Sequence, residues 1–143
     1  MTKSWFAECI IDSVGKLKSE RMDIIERTKQ YYEALDSLDL CQCDHCMNYV
    51  QEISRSYPQL AKFLSSMGVD PKKPFETMPL EVDENQIIEY LAAQYIIMGD
   101  SDDFNENVLG DVHISLASSH PSTGIDEAHF VMEVGPIILP WVL

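Results

Sequence analysis

The hydrophobic pattern of this chain changes period once, at Pro74, and that change limits the fold more than any other feature. Before it, apolar residues recur at three- and four-residue steps: Trp5, Phe6, Cys9, Ile10, Val14 and Leu17, then Ile24, Ile25, Thr28, Tyr31, Leu35 and Leu38. The spacing predicts helix over residues 4–38, with Gly15 or the polar stretch Lys18–Arg21 as the place for a break. A second helix is expected with Asp44 as its N-cap and Tyr49, Val50 and Ile53 facing inward. Ser56 and Pro58 mark the start of a third, whose apolar side is Leu60, Phe63, Leu64 and Met67. Gly68 then supplies a left-handed stop, Val69 folds back onto the last turn, and Pro71 prevents continuation.

After Pro74 the step becomes two. Met78, Leu80 and Val82 fall on one side of a strand that Pro79 confines to a sheet edge or a bulge. Asp83-Glu84-Asn85 is turn chemistry. Residues 86–98 read as a strand pairing back, on the strength of the run Tyr95-Ile96-Ile97-Met98. A helix is the rival there, because Asp83 with Gln86 resembles a capping box and Ile88, Leu91, Tyr95 and Met98 have helical spacing. Gly99–Gly110 reads as a long acidic loop. Val112, Ile114 and Leu116, and later Phe130, Met132 and Val134, alternate as half-buried strands. The apolar end Gly135–Leu143 contains two prolines and must dock in extended form, since left free it would be a sticky tail. The sum is an α+β fold, with N-terminal helices packed on one face of a small, mainly antiparallel sheet built from residues 75–134. At 143 residues the chain is expected to form a single domain over 1–143, helical over 1–74 and strand-rich and acidic over 75–143.

Charge divides at the same place. The chain holds 24 acidic and 10 basic residues, for a net charge of −14. All ten Lys and Arg lie between Lys3 and Lys73, where they nearly balance eleven acids, whereas residues 74–143 hold thirteen acids and no base. Such a half repels nucleic-acid phosphate and anionic lipid, so neither nucleic acid nor a membrane surface is expected as a direct partner. It would attract a basic protein or a divalent cation, or simply serve as a solubilising surface. No apolar run approaches the roughly 20 residues of a membrane span. Glu8 and Asp12 interrupt the stretch Trp5–Val14, which argues against an export signal and for a cytoplasmic protein.

Three of the four cysteines sit within six residues, as Cys41-Gln42-Cys43-Asp44-His45-Cys46, with Cys9 apart. That clustering is unlike a secreted disulfide framework, and the thiols are expected to be reduced. A Cys-x-x-Cys pair at a helix start has two uses. The helix N-terminus lowers a thiol pKa and favours redox exchange, but that reading wants a strand feeding the motif, and here a helix precedes it. Two thiolates also make half of a tetrahedral zinc site. Cys41 is near enough to be a third ligand. His45, His113, His120, His129 or the pair of a second subunit would complete the shell, the last of these making a homodimer. The plain alternative is small residues packing the helix start as a structural thiol pair.

The run Cys43-x-x-Cys46-x-Asn48-Tyr49, then Pro58, then Leu64-x-x-x-Gly68-Val69-Asp70-Pro71-x-Lys73-Pro74-x-Glu76 resembles a group of small uncharacterised bacterial proteins. They share a Cys-x-x-Cys-x-Asn-aromatic start and a Gly-Ile/Val-Asp-Pro-x-Lys-Pro-x-Glu signature. The resemblance covers about residues 43–76. It implies a cytoplasmic bacterial protein and supplies no catalytic residues.

Other constellations carry less. From Asp103, ligand-type residues fall at the first, third and fifth positions of a calcium loop, but Val108 stands where the loop needs Gly and Ile114 where it needs Glu. His113 and His129 share outward parity and would meet if their strands were neighbours. With Ser115, Ser118, Ser119 and Glu127 they allow a hydrolytic site to be drawn, though no nucleophile elbow supports it. No phosphate loop, dinucleotide fingerprint or His-Glu-x-x-His motif is present. Two functions are therefore expected in preference to an enzyme. One is a non-enzymatic bacterial protein with a structural thiol or zinc half-site. The other is an acidic interaction protein, immunity-like or nucleic-acid-mimicking, that binds a basic partner.

The charge imbalance yields a first prediction. Carboxylates crowd at Asp100, Asp102, Asp103 and Glu106, and exposed charges are screened beyond about 8–10 Å at physiological ionic strength. The melting temperature is expected to rise between low and moderate sodium chloride. A flat or falling curve would mean that the carboxylates are dispersed or compensated.

Overall fold

A computed structural model describes residues 11–143. The expected apolar positions Trp5, Phe6, Cys9 and Ile10 lie outside the described residues. Among these residues three α-helices, α1 (Ile11–Ala34), α2 (Asp44–Ser56) and α3 (Pro58–Ser66), precede six strands. These are β1 (Glu76–Pro79), β2 (Ile87–Met98), β3 (Asn107–Leu109), β4 (Val112–Leu116), β5 (His129–Gly135) and β6 (Ile137–Pro140). The sheet order is β1-β2-β5-β4-β3, with β6 also on β2 and every recorded pairing antiparallel. The α+β architecture is the expected one, with helices on one face of the sheet.

Local boundaries differ in instructive ways. Helix α1 runs unbroken past Gly15 and Lys18–Arg21 and ends at Ala34. Leu38, expected on its apolar stripe, instead lies in a 3-10 turn and is 79% exposed. Cys43, not Asp44, is the N-cap of α2, and Tyr57, not Ser56, caps α3, leaving Pro58 in the first helical position. The end of α3 is as the sequence predicts. Gly68 has φ +85°, its N–H donates to Ser65, and the Val69 N–H reaches back to Leu64. A Cβ on Gly68 would lie 2.9 Å from the Lys29 nitrogen and strike the Ile25 carbonyl, so glycine also lets the end of α3 touch α1.

Residues 87–98 form the strand β2, and the helical rival over 86–98 is excluded. Asp83 caps a turn, not a helix: its carboxylate accepts from the Asn85 and Ile87 amides, at 2.8 and 3.0 Å. The strand carries a reversal of facing. Ile88 and Tyr90 point into the main core, yet so do Ala93, Tyr95 and Ile97. The opposite strand reverses at the same level: Met132 and Val134 of β5, then Ile137 and Leu139 of β6, face that core. The two reversals cancel. β5 and β6 run along β2 in one register, from Met98↔His129 through Ala93↔Val134 to Ile87↔Pro140. Gly135 sits at the switch, where a Cβ would fall 2.9 Å from the Ala92 Cα and onto the Leu91 carbonyl. β1 has no matching reversal, and its register slips between Thr77 and Pro79. Thr77 and Pro79 lie opposite the core residues Ala93 and Tyr90, so Thr77 faces inward, while Met78 and Leu80 share the outer face, with Leu80 in solvent. Of the three residues expected on one face, only Val82, beyond the strand, departs and packs on the main core. The sheet also extends beyond residue 134, because the apolar tail docks as β6, and β3 forms inside the segment expected to be all loop.

The main core joins Tyr49 and Ile53 of α2 and Leu60 and Leu64 of α3 to Ile88, Tyr90, Tyr95, Met132 and Leu139 of the sheet. A smaller cluster, Ile96, Met98 and Val131, lies on the other sheet face beneath Ala117, Ile125 and Phe75. Helix α1 covers the edge of β2 that β1 is too short to pair. The Tyr32 hydroxyl donates to the Ile96 carbonyl (2.8 Å) and accepts from the Ile96 amide (2.9 Å), and Thr28 Oγ1 accepts from the Met98 amide (3.0 Å). Lys73 in turn closes the end of α1, its ammonium donating to the Tyr32 and Leu35 carbonyls at 2.7 Å each.

Tyr32→Phe keeps the ring but strands two buried backbone groups of β2. A loss of about 2 kcal/mol or more is expected. Urea unfolding monitored by tyrosine and tryptophan fluorescence would show it as a lower midpoint at unchanged slope. An unchanged midpoint would mean that the edge is satisfied without the hydroxyl.

Candidate metal centre

The approach to the thiol cluster is a compact loop held by local hydrogen bonds. Asp36 caps the turn Ser37–Asp39, accepting from the Leu38 amide at 2.9 Å. The Gln42 side-chain amide donates back to the Ser37 and Leu40 carbonyls, at 2.9 and 3.1 Å. This curls residues 40–42 so that Cys41 returns towards the start of α2. There Cys43 takes the N-cap position, and Cys46, one turn on, points inward to Thr77 of β1, its sulfur 3.3 Å from Thr77 Oγ1. The Sγ atoms of Cys41, Cys43 and Cys46 lie within 4.8 Å of one another. Cys41 and Cys43 are exposed and Cys46 is buried, and all three are free thiols.

The two ends of the Cys-x-x-Cys pair differ electrostatically. The Cys43 side chain makes no full capping hydrogen bond, but the Cys46 backbone amide directed at it holds its pKa below the ordinary thiol value, as do the Cys41 thiol and the His45 amide. Burial pushes the Cys46 thiol up to about 12, against a smaller opposing pull from the Thr77 hydroxyl.

The ground beneath the cluster is rigid. Asn48 is fully buried; its amide donates to the Pro140 carbonyl (3.0 Å) and its oxygen accepts from the Val142 amide (2.8 Å), which pins the C-terminal tail against α2. The Tyr90 hydroxyl donates to the His45 carbonyl at 2.5 Å. Tyr95 donates its only hydroxyl proton to the Pro71 carbonyl (2.7 Å), so Tyr49 is the donor in the 2.7 Å bond between the two tyrosines. Thus Asn48, Tyr49, Gly68, Pro71 and Lys73 make contacts that fix α2, α3 and α1.

Zinc–sulfur bonds of about 2.3 Å in a tetrahedron place sulfurs about 3.8 Å apart. Spacings within 4.8 Å therefore need a closure of about 1 Å at most. The donor set can hold a metal ion. Among the described residues no histidine or carboxylate joins it. The His45 ring packs on Trp141 at 5.4 Å, and the His120 Nδ1 bonds the Pro121 carbonyl. His129 is engaged by Thr123 and by the Glu127 carbonyl. His113 and His129 do lie on neighbouring strands but do not meet, since His113 is opposite Gly135 and His129 is opposite Met98. Ser115 is opposite Glu133, with no histidine to complete a hydrolytic group. Asp100 is used locally, capping the turn Ser101–Asp103. Cys9 lies outside the described residues. Thr77 was not singled out by sequence, because its place beside Cys46 comes from its pairing with the core residue Ala93 across the sheet.

The chain matches no family model, no curated protein and no solved structure. No described helix is long and apolar enough to cross a membrane.

The unequal thiols give a measurable order of reactivity. In metal-stripped protein, iodoacetamide is expected to label Cys43 well ahead of Cys46, with a rate that reaches its plateau below the ordinary thiol pKa. Cys46 should remain unlabelled until the chain unfolds. Its raised folded pKa also means that stability is fully present below the unfolded thiol value of about 8.5 and is lost as the pH rises from there toward about 12. Peptide mass spectrometry reads the labelling, and equal rates at the two sites would contradict the assigned environments.

Proposed function

We propose that this protein binds a zinc ion through Cys41, Cys43 and Cys46, and that the ion fixes the loop 37–46 to the start of α2 without performing a reaction. The observation that carries this reading is the convergence of three sulfurs from a span of six residues within 4.8 Å. Thiolate donors favour soft or borderline ions, and zinc accepts three of them with no geometric penalty. The fourth ligand comes from solvent, from a second copy or from a partner. The resemblance of residues 43–76 to small bacterial proteins belongs to the same proposal, as does a reducing, cytoplasmic setting in which the thiols stay available.

Zinc uptake must displace the Cys46 proton, so affinity is expected to rise with pH through the neutral range. Native mass spectrometry of chelator-stripped protein after stoichiometric zinc should show one bound ion. Replacing all three cysteines by serine should abolish it, and Cys41→Ser alone should leave a weaker site. Zinc should also raise the melting temperature of the parent chain and not that of the triple variant. A chain that stays metal-free in excess zinc, with all three thiols titratable, would overturn the reading.

A further inference from the structure

Among the described residues, the half of the sheet nearest the β1–β2 turn has an uncovered outer face. The facing reversal at Leu91–Ala92 divides the outside of β2 in two. Beyond it, Gln94, Ile96 and Met98 are buried by the segment between β4 and β5, whose Ser119 carbonyl accepts from the Gln94 amide and whose Ile125 packs on the small cluster. Before it, Ile87, Glu89 and Leu91 point outward, and no described element packs over them. Ile138 is directly opposite Glu89 on β6, and on the other side the Leu80 amide bonds the Glu89 carbonyl at 2.8 Å. Residues two apart on a strand, or opposite across a pair, share a face. Four apolar side chains therefore surround the Glu89 carboxylate: Ile87 and Leu91 along the strand, Leu80 and Ile138 across it. They are 36%, 53%, 44% and 51% exposed. Isolated exposed apolar residues are ordinary, but a contiguous set around one charge is not.

We propose that this face docks a basic amphipathic segment of another protein, with a Lys or Arg on Glu89 and apolar side chains on the surrounding four. The charge pattern names the occupant. Among the described residues no cation pairs with Glu89. Glu81, Asp83 and Glu84 are exposed in the adjoining turn, and residues 74–143 hold no base at all. A second copy is disfavoured, because a two-fold contact would bring Glu89 against Glu89. A head-to-tail contact using the lysines of the helical part would build a ring or a filament in place of a two-fold dimer. Anionic lipid is repelled by the same acids. The proposal stands apart from the thiol cluster, which faces the opposite side of β1.

The probe is a synthetic amphipathic leucine–lysine helix, with its leucine–glutamate counterpart as control, titrated against the full chain by fluorescence anisotropy. The lysine peptide is expected to bind and the glutamate peptide is not. Leu91→Thr with Ile138→Thr should weaken binding by about tenfold or more through lost apolar burial. Being exposed, these positions should leave the melting temperature nearly unchanged, which separates lost binding from lost folding. Glu89→Gln should weaken binding by about fivefold and flatten its salt dependence. The variant with all three clustered cysteines changed to serine should bind as the parent does. Equal binding to parent and face variants would overturn the proposal, since the peptide would then be held by unspecific charge. So would a dimer in light scattering that Leu91→Thr with Ile138→Thr dissolves, which would give the face to a second copy. Sedimentation with phosphatidylcholine vesicles, lost in the same variant, would give it to lipid and equally overturn the proposal.

Discussion

A strand buried on both faces has no water beside it, so each backbone N–H and C=O must find a protein partner. From Ala92 to Met98, β2 is in that position, and the rest of the molecule is arranged around its two edges. One edge is met by β5 and β6 in a single register. The other is met by β1 only as far as Gln94, and the ladder is then continued by side chains of α1, Tyr32 for Ile96 and Thr28 for Met98. The place of α1 is thus set by hydrogen bonding as well as by apolar burial. Gly68 and Lys73 hold it there, one by allowing close approach and the other by closing its carbonyl end.

The paired reversal in β2 and β5/β6 has a second effect. It exchanges the inward and outward residues of both strands at one level, so the two halves of the outer sheet face differ in character. The far half is sealed by the segment after β4. The near half presents Glu89 among exposed apolar residues. β1 takes part in both candidate regions because its side chains alternate without a reversal: Thr77 faces Cys46 on the helical side, and Leu80, three residues on, flanks Glu89 on the other. A short edge strand therefore separates a thiol cluster on the helical side from an acidic-apolar surface on the other.

What was legible in the sequence was local. Gly68-Val69 ends a helix because a left-handed residue followed by an apolar one closes the last turn, and six residues carry that information. The thiol cluster was legible for the same reason, since three cysteines in six residues cannot lie far apart. Residues 86–98 were ambiguous for a physical cause. The core-facing set is Ile88, Tyr90, Ala93, Tyr95 and Ile97, and the one three-residue step at the reversal spoils a clean two-residue period. The surrogate ladder of α1 was not legible at all, because Tyr32 and Ile96 are 64 residues apart and nothing near either announces the other. The histidines misled because outward parity says which face a residue takes and not how far along the strand its neighbour lies.

The burial of Cys46 has opposite consequences in the two states of the thiol cluster. Alone, a thiolate there would be poorly solvated, so the group stays protonated and the metal-free cluster holds one neutral buried thiol beside two exposed ones. A cation at the cluster would invert this, because the low-dielectric surroundings that penalise an isolated thiolate would strengthen its attraction to the ion. Thr77, 3.3 Å from the sulfur, is placed to donate its hydroxyl proton to the thiolate once formed, as outer partners do for metal ligands generally. Cys46 would then be the fixed ligand, anchored through β1 and through the hydrogen bonds that hold α2. Cys41 and Cys43, on the exposed loop and cap, would supply the movement of about 1 Å needed to close around an ion.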